Sequence, residues 1–184
     1  PLLVPFVVIG LIGVAGAGGL LLTQGYRMER ITVWLDPAAS EKGHQTIQGL
    51  YAIGSGGLFG KGLGQSMQKL GFLPEANNDM IFSVICEELG LFGALCVLAL
   101  FFALIWRFMV IAVNAPDLYG SMIVVGVIAH IGIQVFINIA VATNTIPNTG
   151  IPLPFISYGG SSLVFMLLEM GLVLSVSRYI NVKK

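Results

Sequence analysis

The chain has 184 residues, 56% of them hydrophobic and only 10% charged, with a mean hydropathy of +0.91. An ordinary soluble domain carries roughly 25% charged residues, so the composition excludes a water-soluble globule and points to a membrane protein. Nine basic residues balance nine acidic ones, which leaves no basic face for nucleic acid.

Four stretches are long enough to cross a hydrocarbon core of about 30 Å, which takes roughly 20 apolar residues as helix. In chain order they run from Leu2 to Leu22, Met80 to Trp106, Gly120 to Thr143 and Ser161 to Ile180. The first has neither a basic leader nor an initiator methionine, so it reads as part of a longer chain and not as a signal peptide. The expected fold class is all-α: a polytopic transmembrane helix bundle, a single membrane domain over residues 1–184, with a large loop at residues 23–79. Cys86 and Cys96 share one apolar stretch, where a rise of about 1.5 Å per residue holds them roughly 15 Å apart. They cannot bridge each other.

Within the large loop Ile47, Leu50 and Tyr51 recur at helical spacing, and Met67, Leu70 and Phe72 follow. Short amphipathic helices at the membrane surface or in the bundle mouth are expected there. Between them lies "AIGSGGLFGKGLG", which fails the phosphate-loop pattern: Ser55 stands where a glycine is needed five residues before Gly60, and Gly62 where Ser or Thr should follow Lys61. Tight turns are the expected use of these glycines. Short-loop positive charge sits around Arg107 to Tyr119 and in the tail with Arg178, Lys183 and Lys184, whereas residues 144–160 carry none. That asymmetry places the two basic segments in the cytoplasm and the large loop outside.

Polar residues inside apolar spans are costly and face a partner or a cavity. His130, Gln134 and Asn138, at i, i+4 and i+8, form one stripe along the third span, and Glu169 lies within the fourth. Two readings stand: interhelical hydrogen bonds worth roughly 0.6 to 2 kcal/mol each, or the wall of a polar cavity. Glu87 and Glu88 diverge by about 100° around a helix, so one faces the bundle and the other the large loop. Asn77, Asn78 and Asp79 precede an apolar helix as N-cap residues do, at a helix end that favours an anion.

Three segments, "YRMERITVWLDP", "HQTIQGLYAIGSGGLFGKGLGQSMQKLGFLPEANNDMIFSVICEELG" and "NTGIPLPFISYGGSS", together resemble the FtsW/RodA/SpoVE family, the SEDS proteins of bacterial division, elongation and sporulation. The likeness covers nearly the whole chain, in order, and corresponds to the carboxyl-terminal half of such a protein. It implies a peptidoglycan glycosyltransferase in the bacterial plasma membrane, polymerising lipid II, a disaccharide-pentapeptide on undecaprenyl diphosphate, at the outer face. It also implies a cognate class B penicillin-binding protein as partner. The family's catalytic aspartate ends a proline-glutamate-alanine-histidine-threonine-aspartate motif and falls on Asp79. Asn77 and Asn78 depart from that pattern, so residue 77 offers an amide to a sugar hydroxyl in place of a proton relay.

On this reading Asp79 is the general base for a sugar hydroxyl, and Glu75, Asn77 and Ser157 contact substrate. Arg27, Arg30, Lys61 and Lys69 either meet the diphosphate charge or anchor the chain at headgroups. Glu88 holds helix and loop in register, Glu87 is unassigned, and His130, Gln134, Asn138 and Glu169 are structural. No cofactor is evident, and assistance by a divalent cation stays open. The alternatives are a lipid II flippase, with the polar stripe and Glu169 lining a headgroup path, and a non-catalytic scaffold for the transpeptidase.

Overall fold

The structure is a computed structural model that describes residues 25–40, 43–67 and 78–180. The predicted span over residues 2–22 lies outside the described residues, as do Lys69, Glu75, Asn77 and the side chain of Arg27. The chain divides into two compact units, one ending at His44 and the other beginning at Gln45.

The first unit holds helix α1 (Gly25–Leu35) and a 3-10 turn (Pro37–Ala39). Asp36 caps the turn, its Oδ1 accepting from the Ala39 amide at 3.2 Å, and Pro37 supplies the fixed φ that a helical first turn needs. Arg30 sits on α1, half-buried.

The second unit is built from α2 (His44–Ser55), α3 (Ile81–Val113), α4 (Leu118–Ala142) and α5 (Gly160–Arg178). The last three are long and apolar enough to cross a membrane, and no strand occurs among the described residues. Phe101 and Phe108 of α3, Val124, Val127 and Ile131 of α4, and Met166 and Val173 of α5 form one buried cluster. The opposite faces, with Leu100, Phe102, Phe136 and Leu168, are exposed apolar surface, as helices in lipid present. Asp117 starts α4, its Oδ2 accepting from the Gly120 amide at 3.1 Å.

One boundary and one internal break, both in α3, differ from the sequence expectation. The second span runs on past Trp106 to Val113, since Arg107 is a single charge before the apolar run "FMVIAV". At 33 residues α3 is also too long for one crossing, and it is broken inside: Gly90 has φ 68° and ψ −167°. Residues 81–89 are largely buried in protein, whereas residues 91–113 expose an apolar face. Those last 23 residues make about 34 Å of helix, enough for the crossing.

A helix break strands backbone hydrogen-bond groups, which apolar surroundings do not tolerate. The glycine-rich segment after α2 supplies the missing partners. The amides of Lys61 and Gly62 donate to the carbonyls of Glu87 and Glu88, both at 2.9 Å, while Gly57 and Leu58 carbonyls accept from Leu91 at 2.9 Å and Phe92 at 3.1 Å. Two backbones meet face to face, and glycine is required on both sides. Gly60 (φ 77°) and Gly90 both hold left-handed conformations, and a Cβ on either would run into the other's backbone neighbourhood. The tight turns expected from the sequence are present, but a close approach to the broken helix accounts for the glycine density.

Candidate active site

Asp79 lies immediately before α3. It is not the cap: Met80 occupies that position, and no side chain caps the helix. The Asp79 side chain is turned elsewhere, its Oδ1 accepting from Gln45 Nε2 at 3.4 Å across from the first turn of α2. The residue is 8% exposed.

Its backbone is clamped from two directions. Asn138, fully buried near the end of α4, donates through Nδ2 to the Asp79 carbonyl and to the Ile151 carbonyl, each at 2.8 Å. Ser157 donates to the Asn78 carbonyl at 2.6 Å while its oxygen accepts from the Leu153 amide at 2.7 Å. The peptide units leading into α3 are thereby fixed to α4 and to the loop between α4 and α5. Ser157, expected to touch substrate, commits its hydroxyl to backbone and so positions the loop.

Asp79 and Asn78 line a cavity of about 390 Å³ with Gly150, Pro152, Tyr158, Ser161 and Ser162. A second cavity of about 370 Å³ shares Tyr158 and Gly159 and is walled by Ile81, Ile156 and Leu163. Each is within the usual size of ligand sites. A carboxylate and hydroxyls thus border the first, more polar chamber, and Ser157 and Tyr158 join aliphatic side chains around the second. The first turn of α5 opens onto the polar one, with Gly159 at its N-cap and no side chain capping it, an end that favours negative charge.

The remaining predicted residues fall in other places. Lys61 Nζ lies 2.7 Å from Glu87 Oε1, and Glu87 also accepts from Ser66 Oγ at 2.6 Å and Ser55 Oγ at 3.4 Å. Glu87, 0% exposed, is the residue that ties α3 to the loop. This corrects the assignment to Glu88, whose side chain makes no hydrogen bond to a described residue and leaves Oε1 buried without a partner among them. The Glu88 carbonyl accepts from the Gly62 amide. Lys61 is correspondingly engaged by a carboxylate and is not held open for a diphosphate.

His130 Nδ1 and Glu169 Oε1 approach to 2.7 Å, joining α4 to α5. Of the polar stripe, Asn138 is buried, Gln134 is half-buried and His130 is exposed in this chain. Sequence reading missed Gln45, Tyr158, Ser161 and Ser162 as site residues. The quoted "YGGSS" was the signal for the last three. Among the described residues no group of three or more His, Cys, Asp or Glu side chains is placed to hold a metal ion.

The FtsW/RodA/SpoVE cell cycle protein family matches residues 2–182. The chain belongs to this family. Over 178 residues it is 56% identical to stage V sporulation protein E of Bacillus subtilis strain 168, covering 95% of this chain and 48% of that protein. It is 44% identical over 170 residues to a probable peptidoglycan glycosyltransferase FtsW of Geobacter sp. strain M18, covering 91% of this chain and 46% of the relative. The chain spans about half the length of the curated relatives it matches. Among solved structures it is similar to a chain of a peptidoglycan synthase complex described as coordinating polymerization and crosslinking. That match has a TM-score of 0.71 and 28% identity, over 97% of this chain and 50% of that one. It is also similar to the rod shape determining protein RodA of Thermus thermophilus, with a TM-score of 0.54 and 38% identity, over 72% and 39% of the two chains.

Removing the Asn138 clamp tests the site's construction. Asn138→Ala leaves the Asp79 and Ile151 carbonyls without their donor, an expected loss of about 1–3 kcal/mol per unsatisfied buried group. In the full-length protein the thermal unfolding midpoint in detergent should fall. An unchanged midpoint would show that water or another side chain replaces the amide.

Proposed function

We propose that this chain carries the base-bearing part of a peptidoglycan glycosyltransferase that polymerises lipid II into glycan strands, acting with a class B penicillin-binding protein. The observation that carries the reading is the placement of Asp79: a buried carboxylate with a clamped backbone, on the wall of a cavity bordered by hydroxyls and beside a second, more apolar one. Lipid II is itself divided in this way, with sugars and diphosphate at one end and an isoprenoid at the other.

A sugar 4-hydroxyl is a poor nucleophile until a positioned base takes its proton, and such help is typically worth about 10²- to 10⁴-fold. Asp79 receives that proton as the hydroxyl oxygen attacks the anomeric carbon of a second lipid II. The carbon–oxygen bond to undecaprenyl diphosphate breaks, and the diphosphate leaves with the electron pair. Ser161, Ser162 and the first turn of α5 border the polar cavity, where they suit a phosphate or sugar hydroxyl. Charge asymmetry of the short loops supports an extracytoplasmic Asp79 and a cytoplasmic carboxyl terminus.

The test supplies lipid II to the outer face of proteoliposomes holding the full-length protein and its penicillin-binding partner, and follows glycan length on gels. Polymer is expected. Transport of lipid II across the bilayer with no polymer from externally supplied substrate would replace this reading with the flippase. Neither activity would leave the scaffold.

A further inference from the structure

We infer that the turn at residues 57–63 inserts into the lipid bilayer, at the headgroup–acyl boundary of the leaflet on the side where α3 begins. Leu58, Phe59 and Leu63 are 65%, 82% and 76% exposed, three large apolar side chains in one short turn that no described part of the chain covers. The backbone exchange at Gly90 sets this turn directly beside Leu91 and Phe92, themselves exposed. Those two residues begin the segment whose outward face is apolar along its length, so the turn continues the surface that a bilayer covers.

Two further features lower the cost of placing the turn against lipid. The first is charge. Lys61 is the sole charged residue from Leu50 to Met67, and the buried Glu87 carboxylate neutralises it at 2.7 Å. The second is the backbone. Gly60 donates to the Gly56 carbonyl at 2.8 Å, Lys61 and Gly62 donate to α3, and the Gly57 and Leu58 carbonyls accept from α3. Irregular backbone near hydrocarbon is favoured by hydrogen-bond partners within the protein, and the groups that the break at Gly90 releases supply them for part of the turn.

The length of the spanning segment agrees with that depth. Residues 91–113 make about 34 Å of helix against a core of about 30 Å, so Leu91 lies within a few ångströms of the hydrocarbon boundary, and the turn beside it lies at the same level. Interfacial segments bury their apolar face roughly 5–10 Å into that boundary, which Phe59 can reach.

Nitroxide labelling of the full-length protein in bilayers tests the inference, in a Cys96→Ser background because Cys96 is exposed. Labels at Phe59→Cys and Leu63→Cys are compared with a lipid reference at Leu100→Cys and a water reference at Thr149→Cys, exposed in the loop between α4 and α5. Collision with oxygen, which concentrates in hydrocarbon, is measured against collision with a water-soluble nickel chelate. Both test labels should shift more than halfway from the water reference toward the lipid one. A chelate-dominated signal places the turn in water, and low access to both reagents places it under another protein segment; either overturns the inference. Adding Glu87→Gln removes the anion that cancels Lys61 and should move both labels back toward the chelate. Retention of oxygen preference in that variant would overturn the role given to charge neutralisation.

Discussion

Asp79→Asn, in the full-length protein with its partner, is expected to reduce polymerisation of externally supplied lipid II by about 100-fold or more while leaving insertion and partner binding intact. The substitution separates chemistry from architecture. Asparagine keeps an oxygen that accepts from Gln45 Nε2, as Asp79 Oδ1 does at 3.4 Å, and it leaves the Asp79 backbone carbonyl in place for Asn138. Helix capping is not disturbed, because the cap position belongs to Met80. What is lost is the ability to accept a proton at neutral pH. Polymer synthesis above about a third of the wild-type rate would remove Asp79 from catalysis, since even a modest general base contributes far more than that. A loss of rate together with a lowered unfolding midpoint would instead assign Asp79 to stability.

The crossing helices were legible in the sequence because their signal is local. Long apolar runs determine residence in a membrane whatever surrounds them, and "FMVIAV" after Arg107 moved only the end of α3. The local pattern around Asp79 instead read as an N-cap, a position that Met80 holds, and only the family resemblance singled the residue out. Its supports were not legible: Gln45 and Asn138 come from elements 34 and 59 residues away, and nothing near Asp79 announces them. Gly90 reads as one more glycine in a membrane helix. Its left-handed backbone makes sense only once residues 57–62 lie against it. Helical geometry separated Glu87 from Glu88 by angle and could not decide which one faces the loop. That choice rests on the rotation of α3, which the backbone exchange fixes. The polar stripe divides for a similar reason: Asn138 meets backbone carbonyls at the site, whereas His130, two turns away, meets Glu169.

The pair of Lys61 and the buried Glu87 gives the second large effect. Lys61→Met leaves a carboxylate that is 0% exposed without its cation, and breaking a buried pair from one side costs about 3–5 kcal/mol. The lower end applies, because 35% of the Lys61 side chain is exposed. Combining Lys61→Met with Glu87→Gln removes both charges and keeps a carbonyl oxygen to accept from Ser66. The double variant should therefore recover most of the lost stability, even though it carries one more change. Unfolding midpoints of wild type, both single variants and the double variant, measured on the full-length protein in one detergent, supply the cycle. If Lys61→Met unfolds where the wild type does, the pair contributes nothing and the backbone exchange alone holds the loop to α3. If the double variant falls as far as Lys61→Met, the cost lies in losing the lysine's packing and not in stranding a charge.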